Sequence, residues 1–181
     1  MVGKEETITV SDGKKIIITY GDITKFTADA IVNAANKHLS HGGGVALAIA
    51  RAAAGNPEKY TKLSQKECIK QVGKPYIDHG EVVITPSMNL DRYGIKYVIH
   101  TVGPICGGKW DNDKEVKLKK AYLGAMRKAE EMGLSSVAFP LISAGIYRCP
   151  QEKSLEIFKQ TAKEFLKTSR HVKDIIMVLR G

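Results

Sequence analysis

Few cysteines, no long apolar run and no familiar nucleotide-triphosphate signature mark this 181-residue chain, and each lack removes a class of protein. Cys68, Cys106 and Cys149 are scattered, odd in number and form no CxxC pair, so neither a disulfide framework nor a zinc site is expected and all three read as reduced thiols. The longest apolar runs, "VALAIA" and "DIIMVL", fall far short of a membrane span, and "MVGKEET" has no apolar core for a signal peptide. A cytoplasmic protein without membrane contact is expected. Neither GxxxxGK[ST] nor GxGxxG before a helix occurs, which removes the main support for a P-loop nucleotidase and for a Rossmann dehydrogenase.

What is present is an ordinary balance of 43% hydrophobic and 26% charged residues, enough for a real core and against disorder. The length suits one domain spanning residues 1–181, and a monomer is expected. The net charge of +9 permits attraction to nucleic acid or to anionic ligands without saying which. Lysines in "KLSQKECIKQVGK" and "KEVKLKKAYLGAMRKAEE" recur at helical spacing, so a solvated helix face explains most of them.

Strand and helix patterns alternate. "TITV" and "KKIIITYG" flank an Asp-Gly turn signal and predict an opening hairpin. "AIVNAA" reads as a strand, Val45 to Ala54 as a helix, and Pro57 starts a second helix that Gly73 stops. "GEVVITP" and "YVIHTVG" are strand-like. A helix follows, with Leu118, Tyr122, Ala125, Met126, Ala129 and Met132 on its apolar face and Gly133 at its end. "SSVAFPL", a helix from about Pro150 to Lys167 and "VKDIIMVL" complete the chain. The expected fold is α/β, a three-layer α/β/α sandwich with a mixed, mostly parallel central sheet and the hairpin at one edge.

In such sheets ligands bind beyond the carboxyl ends of the strands. Three polar loops fall there: "GDIT", "NAANKHLSHGGGV" and "ISAGIY". Gly42, Gly43 and Gly44 lead into a helix whose first N–H groups lack partners, and Ser143, Ala144, Gly145 and Ile146 precede another. Together they could enclose a diphosphate with main-chain amides; the plainer reading is a pair of ligand-free loops. Asp22 could accept from an exocyclic amine or merely cap the turn after it, and Asn36 could hold ribose hydroxyls or serve the turn. His38 and His41, three apart without a third ligand, suit loop chemistry better than a metal; His100 reads as a buried, hydrogen-bonded histidine. Cys106 lacks a base at recognisable spacing and is discounted as a nucleophile.

"GDIT", "IVNAANKHLSHGGGVALAIARAAAG", "HTVGP" and "FPLISAGIY", in this order, resemble the macro domain family of ADP-ribose-binding modules over nearly the whole chain. The likeness is nearest to single-domain archaeal and bacterial macro proteins. It implies that Asp22 binds the adenine amino group with Ile23 adjacent through its backbone, and that Asn36 contacts the distal ribose and is the candidate catalytic residue. It further implies that Gly43, Gly44 and Val45 line one side, that Ser143, Ala144, Gly145 and Ile146 wrap the diphosphate, and that Tyr147 lies against the distal ribose. The implied partners are ADP-ribose, mono-ADP-ribosylated proteins and poly-ADP-ribose, with no metal or other cofactor. Two departures stand out. MacroD-like hydrolases resemble "GGGVDGAIH", whereas this chain has Ala46 where the Asp would be. Where the family often stacks an aromatic on adenine, Arg180 stands, and a further helix is expected to be shortened, absent or beyond this sequence. The resemblance therefore implies binding with slow hydrolysis at most; the competing expectation is a basic module for nucleic acid or poly-ADP-ribose without hydrolysis.

Overall fold

The computed structural model describes residues 5–180. Strands β1 (Glu6–Ser11) and β2 (Lys14–Tyr20) pair antiparallel around Asp12 and Gly13, the latter at φ +71° as the tight turn demands. Then come β3 (Ala30–Ala35), α1 (Gly44–Ala54), α2 (Pro57–Val72), β4 (Val83–Pro86), β5 (Tyr97–Val102), α3 (Asn112–Glu131), β6 (Ser136–Phe139), α4 (Gln151–Leu166) and β7 (Asp174–Leu179). The seven strands lie in the order β1-β2-β7-β6-β3-β5-β4. β2, β7, β6, β3 and β5 are parallel, while β1 and β4 close the two edges antiparallel.

Side chains of a strand alternate between faces, so a sheet covered on both sides needs strands that are apolar throughout. β3 shows this: Ala30 and Val32 join Leu118, Tyr122 and Met126 of α3 and Phe158 of α4, whereas Ile31 meets Ile49 and Ala53 of α1 and Tyr60 of α2. The result is the α/β/α sandwich. Each fully buried Ile or Val of the central strands contributes about 1.5–3 kcal/mol, and the Tyr122, Phe139 and Phe158 rings pack with centroids 5.5–5.8 Å apart. The helix limits follow local chemistry. Asn56 Oδ1 accepts the Glu58 N–H at 2.9 Å before Pro57, and Gly73, at φ +84°, donates its N–H to Ile69 O.

Two local expectations differ, and one element had none. Met132 lies past the last turn of α3 and is exposed rather than apolar-packed, because the chain turns out through Gly133 at φ +71°. A six-residue 3₁₀ helix, Met88–Tyr93, not read from the sequence, buries Leu90. Cys106 and Cys149, expected as reduced thiols, form a disulfide with Cα atoms 4.9 Å apart; Cys68 is free and buried. Spacing along the chain hides this pair because the loops after β5 and β6 meet only in the folded sheet. The disulfide also removes Cys106 as a nucleophile.

One buried polar relay crosses the layer between β3, β5 and α2. The Asn33 amide donates to His100 Nδ1 at 2.9 Å and approaches His41 Nδ1 at 3.4 Å. His100 Nε2 and Thr85 Oγ1 are 2.9 Å apart, Thr85 Oγ1 and Tyr60 Oη 2.7 Å, and the Tyr60 hydroxyl donates to Pro86 O at 2.9 Å. His41 Nε2 lies 2.9 Å from Ser64 Oγ, which donates to Tyr60 O. Read in sequence, these bonds require both imidazoles to be neutral with the proton on Nε2, since each Nδ1 faces an N–H of Asn33. Burial pushes His41 down to about 4, and burial followed by the nearness of His41 holds His100 well below the usual histidine range.

Neutral histidines in the folded chain, set against an ordinary value of 6.5 when unfolded, mean that the unfolded chain binds more protons between pH 6.5 and 4. Stability is therefore complete above pH 6.5 and falls as the pH drops. At about 1.36 kcal/mol per unit, His41 alone removes roughly 3 kcal/mol by pH 4. Thermal melts from pH 7 to 4.5 are expected to show a falling midpoint in the parent and a flatter curve in His41→Gln, with parallel curves counting against the relay.

Candidate functional site

Five parallel strands bring five loops to one edge of the sheet. In spatial order these carry Asp22 and Ile23 after β2, Arg180 after β7, Ser143 to Tyr147 after β6, Asn36 to Val45 after β3, and Gly103 to Lys109 after β5. The fold thus sets in a row all the residues that the sequence singles out. Residues 22 and 180, far apart in the chain, come together because Tyr20 pairs with Leu179 and Gly21 N–H donates to Leu179 O at 2.8 Å. No helix follows β7 among the described residues.

Asp22 caps the short 3₁₀ turn Ile23–Lys25: its Oδ1 accepts from Thr24 N at 3.0 Å and Thr24 Oγ1 at 2.7 Å. Its other oxygen takes part in no hydrogen bond among the described residues, and the side chain is exposed, so capping leaves one acceptor free. The Ile23 side chain is buried against Ala28 and Ile31, which fixes the turn to the core. Asn36 is half-buried and closes its own loop, donating to Ser40 O at 2.8 Å and accepting from Ser40 N at 3.1 Å. Leu39, fully buried at φ +57°, anchors that loop from below.

The glycine run enters α1 at Gly44. His41, locked in the relay and donating its backbone N–H to Thr61 Oγ1 at 3.0 Å, sets where the run begins. Gly44 has φ +57° and needs the freedom of glycine, whereas Gly43 is extended. Neither backbone nor packing demands glycine at Gly42, Gly43 or Gly145: none has positive φ, and a Cβ there would meet nothing within 4 Å. Unlike α2 and α3, which Asn56 and Asp111 cap, α1 has no side-chain cap and no acidic residue in its first turn. Its positive end therefore faces the edge unneutralised. Val45 is half-buried, and Ala46 is buried against the core side of α1.

Opposite, Ser143 is held at φ +63° with its hydroxyl buried and without a partner. Ala144 is half-buried, Gly145 open, and Ile146 is 92% exposed. Tyr147 is half-buried, and burial raises its phenol above the usual range. The loop after β5 supports this one from below. Cys106 N–H and Gly107 N–H both donate to Tyr147 O, at 2.8 and 3.0 Å, and a Cβ on Gly103 would overlap the Ser143 hydroxyl.

Gly103, the Cys106–Cys149 pair and the part of Asn33 and His41 in the relay are what reading the sequence missed at this edge, whereas His100 is buried and hydrogen-bonded as expected. The available signal was positional, since Cys149 lies just beyond the "ISAGIY" loop and Cys106 just beyond the "HTVGP" run. No group of three or more His, Cys, Asp or Glu side chains able to hold a metal occurs among the described residues. A depression of about 240 Å³ between Gly80 and the α3 residues Lys120 and Arg127 gathers none of the residues above.

Comparison with known proteins agrees with this geometry. The sequence profile of the Macro domain matches residues 32–158. An uncharacterized protein of Pyrococcus horikoshii is 60% identical over 162 residues, 90% of this chain and 85% of that protein. A protein of Archaeoglobus fulgidus named ADP-ribose glycohydrolase is 56% identical over 162 residues, 90% of this chain and 83% of the relative. Among solved structures, a mutant Oceanobacillus iheyensis macrodomain with ADPR superposes with a TM-score of 0.84 at 34% identity, covering 97% of this chain and 90% of that one. With its sheet order, its glycine-bearing loops and these relatives in agreement, the chain belongs to the macro domain family.

Proposed function

We propose that the carboxyl edge of the sheet binds ADP-ribose, free or attached to proteins as a single unit, and hydrolyses such adducts slowly. The observation that carries this reading is the set Gly42, Gly43 and Gly145. The chain's own packing and backbone leave room for side chains at all three, and their lack clears a path to main-chain amides and the uncapped end of α1. A diphosphate has the size and charge for that gap. Asp22, through its free oxygen, takes the adenine amine, with the Ile23 amide beside it and Arg180 stacking its guanidinium plane on the base. Gly43, Gly44 and Val45 face Ser143, Ala144, Gly145 and Ile146 across the phosphates, leaving the distal ribose between Asn36 and Tyr147. The solved relatives with ADPR and with ADP support a ligand of this chemical class. The whole chain acts as one such domain, as a monomer in the cytoplasm, where adducts made from NAD arise.

Hydrolysis adds water to C1″ of the distal ribose, and the carboxylate or phosphate on that carbon leaves with the proton; with O-acetyl-ADP-ribose the water adds to the acetyl carbonyl, acetate departs and the ribose oxygen keeps the proton. Ala46 offers no base. Water must instead be held by Asn36 and a phosphate oxygen of the ligand, so positioning replaces the roughly 10²–10⁴-fold that a general base supplies. The name of the Archaeoglobus relative supports an activity of this kind. A polyanion-binding alternative draws on the charge of +9, yet Lys74, Lys117, Lys119 and Lys128 are each ion-paired with a carboxylate within 3.3 Å.

Calorimetric titration with ADP-ribose tests the site. Asp22→Ala is expected to weaken binding about tenfold, as loss of a charge-assisted hydrogen bond does. Gly43→Glu should abolish binding while leaving the melting temperature near the parent's, since that residue is extended and open. Parent-like affinity in both variants refutes the assignment. Between about 50 and 200 mM salt the affinity should fall only a few-fold; a loss of about 10³–10⁵ would instead mark backbone-phosphate binding. With a protein automodified on glutamate, the parent is expected to release label slowly and Asn36→Ala at least tenfold more slowly, and release that survives this change would clear Asn36 of any role.

A further inference from the structure

The Cys106–Cys149 bond sits in a place that ties it to ligand binding. It joins the loops after β5 and β6, two strands that are not neighbours, so the strap passes over the end of β3 between them, where Asn36 leaves the sheet. The Ser143–Tyr147 loop that it holds contains a non-glycine residue in the left-handed region, Ser143 at φ +63°, and Arg148 follows at φ +55°. Such conformations persist only where their surroundings impose them. The surroundings that impose them are the disulfide, the amides of Cys106, Gly107 and Gly108 bonded to Tyr147 O and Arg148 O, the loop's own bonds from Arg148 N–H to Gly145 O and from Cys149 N–H to Ser143 O, and the close seat of Ser143 on Gly103. Gly145 and Ile146 at the tip are exposed.

We propose that this disulfide is the positioning element of the Ser143–Tyr147 loop, and that a dithiol reductant, by opening it, lowers the affinity of the edge for ADP-ribose. The inference rests on the function proposed above. In the step, one thiolate of the reductant attacks a cysteine sulfur and the S–S bond breaks. The second thiol then closes on the mixed disulfide, so that two electrons and two protons pass from the reductant to Cys106 and Cys149, and the reductant leaves as its cyclic disulfide. Both sulfurs are shielded, but their neighbours Ile105 and Gly107 are exposed, so a small opening of the strap admits a reductant. Cys68 stands apart on the buried face of α2, its thiol donating to Lys74 O, and offers no exchange partner. In the cytoplasm a disulfide is characteristically reversible and redox-sensing, which suits this use.

The test compares air-oxidised protein, the same protein in excess dithiothreitol, and the Cys106→Ser/Cys149→Ser double variant. Each is followed by ADP-ribose calorimetry and, without ligand, by amide hydrogen exchange over residues 143–149. The expected result is one free thiol in the oxidised protein, binding weaker by roughly three- to tenfold after reduction as pre-organisation is lost, and faster exchange in the loop. The double variant should match the reduced protein and ignore dithiothreitol. Three free thiols after air oxidation, or equal affinity and equal exchange before and after reduction, would overturn the proposal. Oxidised protein that binds no ADP-ribose overturns the function proposed above and the affinity half of this one; exchange that reduction leaves unchanged overturns the loop half.

Discussion

Strands that run the same way cannot be joined by tight turns; each needs a crossover that returns the chain to its starting edge. With β2, β7, β6, β3 and β5 all parallel, every departing loop opens at one edge and every returning segment arrives at the other. This constraint places Asp22 beside Arg180 and sets the glycine run opposite Ser143, whatever the order of those residues in the chain.

The two edges handle polar groups in opposite ways. At the amino edge carboxylates are saturated. Burial raises Asp29, yet bonds from the Ser135 N–H and hydroxyl and the Lys96 ammonium outweigh it and hold the carboxyl below its usual range. Glu130 likewise accepts the N–H groups of Arg170, His171 and Val172, which stitches the end of α3 to the approach of β7. At the carboxyl edge the groups are left open: α1 is uncapped, the Ser143 hydroxyl is orphaned and Asp22 keeps a free oxygen. Buried or partly buried polar atoms without partners cost free energy, so their concentration at one edge is the signature of a surface that expects a ligand. Between the edges, the Asn33 amide, whose own buried Oδ1 has no partner, and the Ser64 hydroxyl hold His41, and so the start of the glycine run, against α2.

Much of this was legible in the sequence because it is written locally. Asn56-Pro57 and Gly73 bound α2 through hydrogen bonds within a few residues, and the β-branched runs of β5 and β7 declare strands buried on both faces. Asp22 could be read as a cap because the bond spans two residues. What stayed hidden is long-range. The disulfide spans 43 residues, His41 meets Ser64 and Asn33 from three elements, and Met132 is exposed by a turn whose direction depends on how α3 packs. An odd cysteine count and the lack of a CxxC motif describe chain neighbours, and they carry no information about two loops that cross over a third strand.

The glycines themselves separate fold from function once their environments are compared. Gly44 and Gly73 are dictated by left-handed backbone, while Gly103 and Gly124 are dictated by close approach, the latter because a Cβ would run into Gly80 O. For these four, the folded chain explains the residue. At Gly42, Gly43 and Gly145 it does not, because each has ordinary φ and open space where a side chain would project. Glycine costs more backbone entropy on folding than any other residue, so placing it at permissive positions on two facing loops is unfavourable for the isolated protein. The compensation lies in what approaches from outside. Side chains at those three positions would fill the space in front of the α1 amides and the Ser143 loop, and the molecule that occupies that space instead must be one that bonds to backbone N–H groups.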